Sequence, residues 1–132
     1  MSKYIPKIIG GFINFISLFS TTSASKIAIY IFSKPRKGGI DAEEKEFLET
    51  ADKKVVFYND IGIQTYQWIG NKPTVLLIHG WESNSYRWKD LIELLKSEDY
   101  NIISIDAPAH GNSGSKMFNA ILYSECINVV IN

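Results

Sequence analysis

Up to residue 53 the apolar positions of this chain recur at helical spacing; from Lys54 the period changes to that of strands. Between Tyr4 and Phe19, Ile8, Ile9, Phe12, Ile16 and Phe19 share one side, while Lys3, Lys7, Gly10, Asn14, Ser17 and Thr21 share the other. That spacing predicts an amphipathic helix. Pro6 is tolerated because it falls in the first turn. Ala24, Ile27, Ala28 and Ile31 continue a second helical pattern, which Pro35 and the Gly38-Gly39 pair break. Asp41 and Glu44 have the spacing of a reciprocal cap for a third helix, whose apolar side is Phe47, Leu48 and Ala51.

Val55 to Tyr58 and Ile63 to Trp68 are rich in β-branched and aromatic residues, and Asn59 to Gly62 between them is turn chemistry. They predict an antiparallel hairpin. After a turn at Gly70 to Pro73, the unbroken run Val75 to Ile78 reads as a strand buried on both faces, as inside a parallel sheet. Gly80 lets the chain turn sharply after it. A helix of about 12 residues follows from Ser85, with Trp88, Leu91, Ile92 and Leu95 on one face. Asn101 to Asp106 is a fourth strand, Ala107 to Ser115 a polar loop, and Met117 to Ile131 a helix with Phe118, Ile121, Leu122, Cys126 and Val129 on one side. Strand, helix, strand, loop and helix predict an α/β class, with a parallel pair linked by a helical crossover. The expected organisation is a basic helical leader over 1–53 and a partial α/β domain over 54–132.

A hydrophobic fraction of 45% with 21% charged residues suits a globular chain rather than a disordered one. The net charge of zero conceals a division. Residues 1–40 hold six basic side chains (Lys3, Lys7, Lys26, Lys34, Arg36, Lys37) and no acid, whereas residues 41–132 hold 8 basic and 14 acidic ones. This asymmetry points to an anionic surface, a membrane face above all, and to peripheral contact through residues 3–37. Nucleic acid is not an expected partner, because no reader motif is present. Three readings of the first helix compete. It packs on the domain or lies in a membrane interface; it is a signal peptide ending at Ser23-Ala24-Ser25; or it spans a membrane. The span is weakest, because Gly10, Gly11, Asn14 and Ser17 interrupt an apolar stretch short of about 20 residues. An amphipathic rather than uniformly apolar segment favours the interface over the signal peptide. The expected location is cytoplasmic with membrane association, secretion being the alternative. Cys126 stands alone, so no internal disulfide forms, and its apolar surroundings mark it as core.

No His, Cys and acid cluster has metal-ligand spacing, and no dinucleotide fingerprint is present. The string Gly111-Asn112-Ser113-Gly114-Ser115 misses the nucleophile-elbow pattern, since it lacks the final Gly and follows a loop. His79-Gly80-Trp81, after an apolar strand, resembles the oxyanion turn of α/β-hydrolase-fold enzymes. Asp106 to Ser113 resembles that family's Asp-x-x-Gly-His-Gly-x-Ser loop, with Ala109 in place of the first Gly. The exchange adds strain only if that position needs positive φ. The resemblance covers residues 54–132.

The resemblance implies an N-terminal portion of an α/β-hydrolase sheet, hairpin plus parallel strands, ending before the nucleophile elbow. It makes the Trp81 backbone N–H the first oxyanion donor, with the indole lining the pocket; the other reading of Trp81 is a packed aromatic beside a tight turn. His79, Gly80, Glu82, Asp106 and His110 would support the loops and pocket. Neither histidine would be the general base, and nucleophile, acid and base would all be absent from the chain. The implied function is esterase- or acyl-hydrolase-like, on a small ester-like substrate in the full-length protein, with no cofactor or metal and with Ser or Asp as nucleophile. The 132 residues alone would be inactive, and the third strand, lacking the fifth beside it, would be an aggregation-prone edge. A non-catalytic α/β binding protein and a membrane-surface protein are the alternatives.

Overall fold

A computed structural model describes residues 4–36 and 38–132. Lys3 and Lys37 of the basic segment lie outside the described residues. The chain divides into two compact units, one ending at Lys34 and one comprising Pro35–Asn132. This division does not coincide with the boundary expected at 53/54. The helix assigned to the leader sits in the sheet's unit, because its apolar side supplies Leu48 and Ala51 to the sheet's core.

The first unit is a pair of helices, α1 (Ile5–Ser17) and α2 (Thr21–Phe32), packed on one another. The Ser20 hydroxyl caps α2 by accepting the Ser23 N–H at 3.2 Å. The single apolar side expected for α1 is in fact two. Ile9, Ile13 and Ile16 are half-buried, at the i, i+4, i+7 spacing that suits a neighbouring helix. Ile5, Ile8, Phe12, Phe15 and Phe19 are exposed.

In the second unit, α3 (Ala42–Leu48) opens with the expected capping box: Asp41 accepts the Glu44 N–H at 2.9 Å and Glu44 accepts the Asp41 N–H at 3.1 Å. The strands are β1 (Asp52–Tyr58), β2 (Ile61–Trp68), β3 (Lys72–Ile78) and β4 (Tyr100–Ile105), in the order β1-β2-β4-β3. β1 and β2 form the antiparallel hairpin, and Asn59 takes the left-handed conformation its turn requires, φ +52°. β3 and β4 are parallel, with Val75 opposite Ile102 and Ile78 opposite Ile105. The crossover between them is a 3-10 turn, Ser85–Trp88, followed by α4 (Lys89–Ser97). The last helix is α5 (Ala120–Ile131).

Strand alternation explains the apolar runs. Val75 and Leu77 face a core of Leu48, Tyr66, Trp68, Ile92 and Ile102, while Leu76 faces a second core of Ile63, Ile105, Tyr123 and Cys126. Both faces of β3 are therefore covered, but its outer edge is not: among the described strands it pairs only with β4. Full burial of the run holds for Leu77 alone, and Ile78 is 39% exposed. The final helix also departs from expectation. It starts at Ala120, where Asn119 accepts the Leu122 N–H at 2.8 Å, and it buries Tyr123 and Cys126 while Ile121 points to solvent. Burial pushes the Cys126 thiol above its ordinary value, so it is an inert core residue.

Candidate active site

Parallel strands deliver their C-terminal ends to the same side of a sheet, so the loops after β3 and β4 meet there. The meeting is arranged by one buried carboxylate and two histidines. Asp106 is fully buried. Its Oδ1 accepts the Ser85 N–H at 2.8 Å; its Oδ2 accepts the Asn112 N–H at 2.9 Å and the Tyr66 hydroxyl at 3.1 Å. One side chain thus ties the start of the crossover helix, its own loop and the neighbouring strand. Burial, with Asp106 beside it, pushes the Tyr66 phenol well above its ordinary value, which keeps the hydroxyl a donor.

The two histidines are crossed braces. His79, in the first turn, bonds through Nδ1 to the Gly80 carbonyl at 2.7 Å and accepts the Ala107 N–H of the second loop at Nε2, 2.9 Å away. His110, in the second loop, bonds through Nδ1 to the Pro108 carbonyl at 2.9 Å and accepts the Glu82 N–H of the first turn at Nε2, 3.0 Å away. Each ring is neutral with its proton on Nδ1, since a carbonyl needs a donor and an N–H needs an acceptor. Burial holds the His79 imidazole below its ordinary value, in keeping with that state. Every ring nitrogen is committed to main chain, so neither is available as a base while the loops hold.

Backbone strain sits in these same loops. Ala109 has φ +64° and Glu82 φ +50°. The position where the loop pattern has Gly does need positive φ, and Ala109 occupies it at a cost of about 1–2 kcal/mol. In the first turn the left-handed residue is Glu82. Gly80 lacks a positive φ, and a side chain there would meet open space, so the sharp turn does not depend on it. Gly111 is different: at φ +46° an added Cβ would lie 2.2 Å from Asp106 Oδ2.

Trp81 stands between Gly80 and Glu82. The residue is 42% exposed, and its indole packs edge-on against His110 at 5.7 Å and Phe118 at 5.5 Å. Among the described residues its backbone N–H makes no hydrogen bond to main chain. Trp81 lines neither of two clefts beside the second loop. One of these, of 370 Å³, is polar and runs along Arg36, Glu82, Arg87 and His110. The Arg36 guanidinium and N–H bind the Glu82 carboxylate and hold it down at about 2. The Ser113 hydroxyl donates to the Asp106 carbonyl at 2.6 Å and accepts the Gln64 N–H at 2.9 Å, so it ties loop to strand, buried. No group of three or more His, Cys, Asp or Glu among the described residues could hold a metal ion.

No protein-family model and no curated protein matches the chain. Solved structures do. The chain superposes on a thioesterase domain from the curacin biosynthetic pathway with a TM-score of 0.57 at 23% identity, over 61% of this chain and 32% of that one. It matches an epoxide hydrolase from Vigna radiata with a TM-score of 0.56 at 23% identity, over 64% and 28% of the two chains. A Pyrococcus furiosus esterase gives 0.56 at 19% identity, over 75% and 39%.

The chain has the α/β-hydrolase fold. It spans about a third of the length of the structures it matches. Trp81 follows β3 in the first of the two braced loops. Asp106, His79, His110, Glu82 and Gly80 all come together there. Four contributors escaped the sequence: Tyr66 and Asn112 on the carboxylate, Phe118 under Trp81, and Arg36 on Glu82. Three of these pairs are more than 30 residues apart and carry no local pattern. Only the Asp106–Asn112 bond, within one loop, had a signal.

Proposed function

We propose that this chain is the N-terminal part of an α/β-fold hydrolase of esterase or acyl-hydrolase type, and that it supplies the first oxyanion-hole donor, the Trp81 N–H. The observation that carries the reading is this N–H, which makes no main-chain hydrogen bond in a turn latched on both sides by histidine braces. Acyl transfer passes through a tetrahedral oxyanion, and a donor fixed before the reaction stabilises the charge without reorganising. The second donor of such a site is the N–H after the nucleophile. The nucleophile, Ser or Asp, and the acid and base come from residues outside these 132. His79 and His110 are positioning residues here, and the substrate is a small ester or related compound met by the exposed indole of Trp81 and by Phe118. No cofactor enters this chemistry.

The test has two parts. The coding sequence beyond Asn132 should specify a strand followed by Gly-x-Ser-x-Gly, or an Asp at the Ser position, within about 20 residues. The polypeptide so extended should hydrolyse p-nitrophenyl esters. Its Trp81→Pro variant, which lacks the N–H, should lose about 10²–10³ in kcat with a smaller change in KM. An extended enzyme whose kcat ignores that substitution sinks the assignment of Trp81.

A further inference from the structure

The exposed apolar side chains of α1 form a line. Ile5, Ile8, Phe12 and Phe15 follow one another at steps of three and four, so they share one face of the helix, and Phe19, in the turn just past its end, packs edge-on against Phe15 at 5.4 Å. Their exposure runs from 41% at Ile5 to 79% at Phe19. No residue of α1 is buried. Ile9, Ile13 and Ile16, which are half-buried, lie on a separate face. This line is thus an apolar surface left over after the helix pair has formed, and contiguous apolar surface of this kind marks an interaction site.

Charge identifies the occupant. Residues 1–40 contain six cations and no acid. Lys7 lies off the apolar line on α1, and Lys26 and Lys34 follow on and after α2. A protein partner would ordinarily be matched by charges of both signs. An apolar face flanked by cations alone matches a surface that is apolar within and anionic at its rim. Length argues the mode of contact: 13 residues of helix rise about 20 Å, short of the roughly 30 Å hydrocarbon core. No helix among the described residues is long and apolar enough to cross a membrane.

We propose that the exposed face of α1 lies in the interface of an anionic lipid membrane, with Ile5, Ile8, Phe12, Phe15 and Phe19 among the acyl chains and the lysines at the headgroups. The helix lies in the plane of the surface. This reading is independent of the chemistry at Trp81.

The test is co-flotation of the whole 132-residue chain with vesicles of phosphatidylcholine, with and without phosphatidylglycerol. The chain should float with the anionic vesicles, and high salt should weaken that association. Phe12→Ala/Phe15→Ala keeps helix propensity and should reduce partitioning by about tenfold or more, given the apolar area removed. Lys7→Glu/Lys26→Glu should abolish the preference for the anionic lipid. Phe57→Ala, which removes an exposed aromatic of β1, should change nothing. Circular dichroism should find both double variants as helical as the parent. Failure to float, equal flotation of the Phe12→Ala/Phe15→Ala variant, or self-association through this face without vesicle binding would each overturn the proposal.

Discussion

The Nε2 atom of His110 accepts the backbone N–H of Glu82 at 3.0 Å, so a ring from the second loop holds the residue that follows Trp81. The ring is 2% exposed, and it also supports Trp81 and Phe118 edge-on. His110→Ala should therefore lower stability by roughly 2–4 kcal/mol, from an N–H left unpaired and a cavity under two aromatics. Urea unfolding gives the loss, and acrylamide quenching of tryptophan should rise as Trp81 loosens. A change under about 1 kcal/mol would show that the latch contributes little.

His79 makes a distinct prediction in pH. Its folded-state value lies below the ordinary 6.5, mainly through burial. Between those two values the unfolded chain binds more protons than the folded one, so stability rises with pH there. Acidification should cost nothing above the unfolded value and should lower stability as pH falls from about 6.5 toward the folded value. Glu43, Glu49 and Glu82, all held below 4.5 by hydrogen bonds and ion pairs, add their losses only at lower pH. The urea midpoint should therefore already drop between pH 7 and pH 5, roughly the histidine window, and His79→Asn should flatten that part of the curve. An unchanged slope in the variant rules His79 out as its source.

Two neighbouring loop positions should behave in opposite ways. Gly111→Ala places a methyl against Asp106, whose oxygens are all engaged, and should cost more than about 2 kcal/mol. At Ala109 three terms nearly cancel. Glycine would relieve about 1–2 kcal/mol of left-handed strain, lose about 0.8 from a buried methyl and lose about 0.4–1 to unfolded-chain entropy. Ala109→Gly should thus shift stability by less than about 1 kcal/mol, as read from denaturant midpoints.

Among the described strands β3 has no partner on its outer edge, and its second half is the apolar run Val75 to Ile78. Such edges recruit other strands. The isolated chain should associate in a concentration-dependent way in sedimentation velocity, and Thr74→Lys, adding charge to that edge, should shift it toward monomer. A parent chain that sediments as a single monomer at all concentrations counts against the edge as a liability. The isolated chain should also show no ester turnover above background, since both histidines are committed to main chain.

Local order was legible from residue types and spacing. The capping box of Asp41 and Glu44, the Asn59 turn, the hairpin and the parallel pair all depend on contacts close in sequence or on periodicity, and they stand as read. So did the two loops, because each follows a strand with a recognisable string. What periodicity could not determine was which covered faces also had covered edges. Val75 to Ile78 has the same composition whether its strand is central or at the rim, since the alternation reports faces and is blind to hydrogen-bonding neighbours. The same limit hid the division of the apolar side of α1 into one half-buried face and one left open. Tertiary structure alone decided the braces, because His79 to Ala107 and His110 to Glu82 are contacts across 28 residues. It also gave the left-handed turn position to Glu82 rather than Gly80: φ at each position follows from where the flanking strands and loops are pinned, and the residue there accepts the strain that pinning imposes.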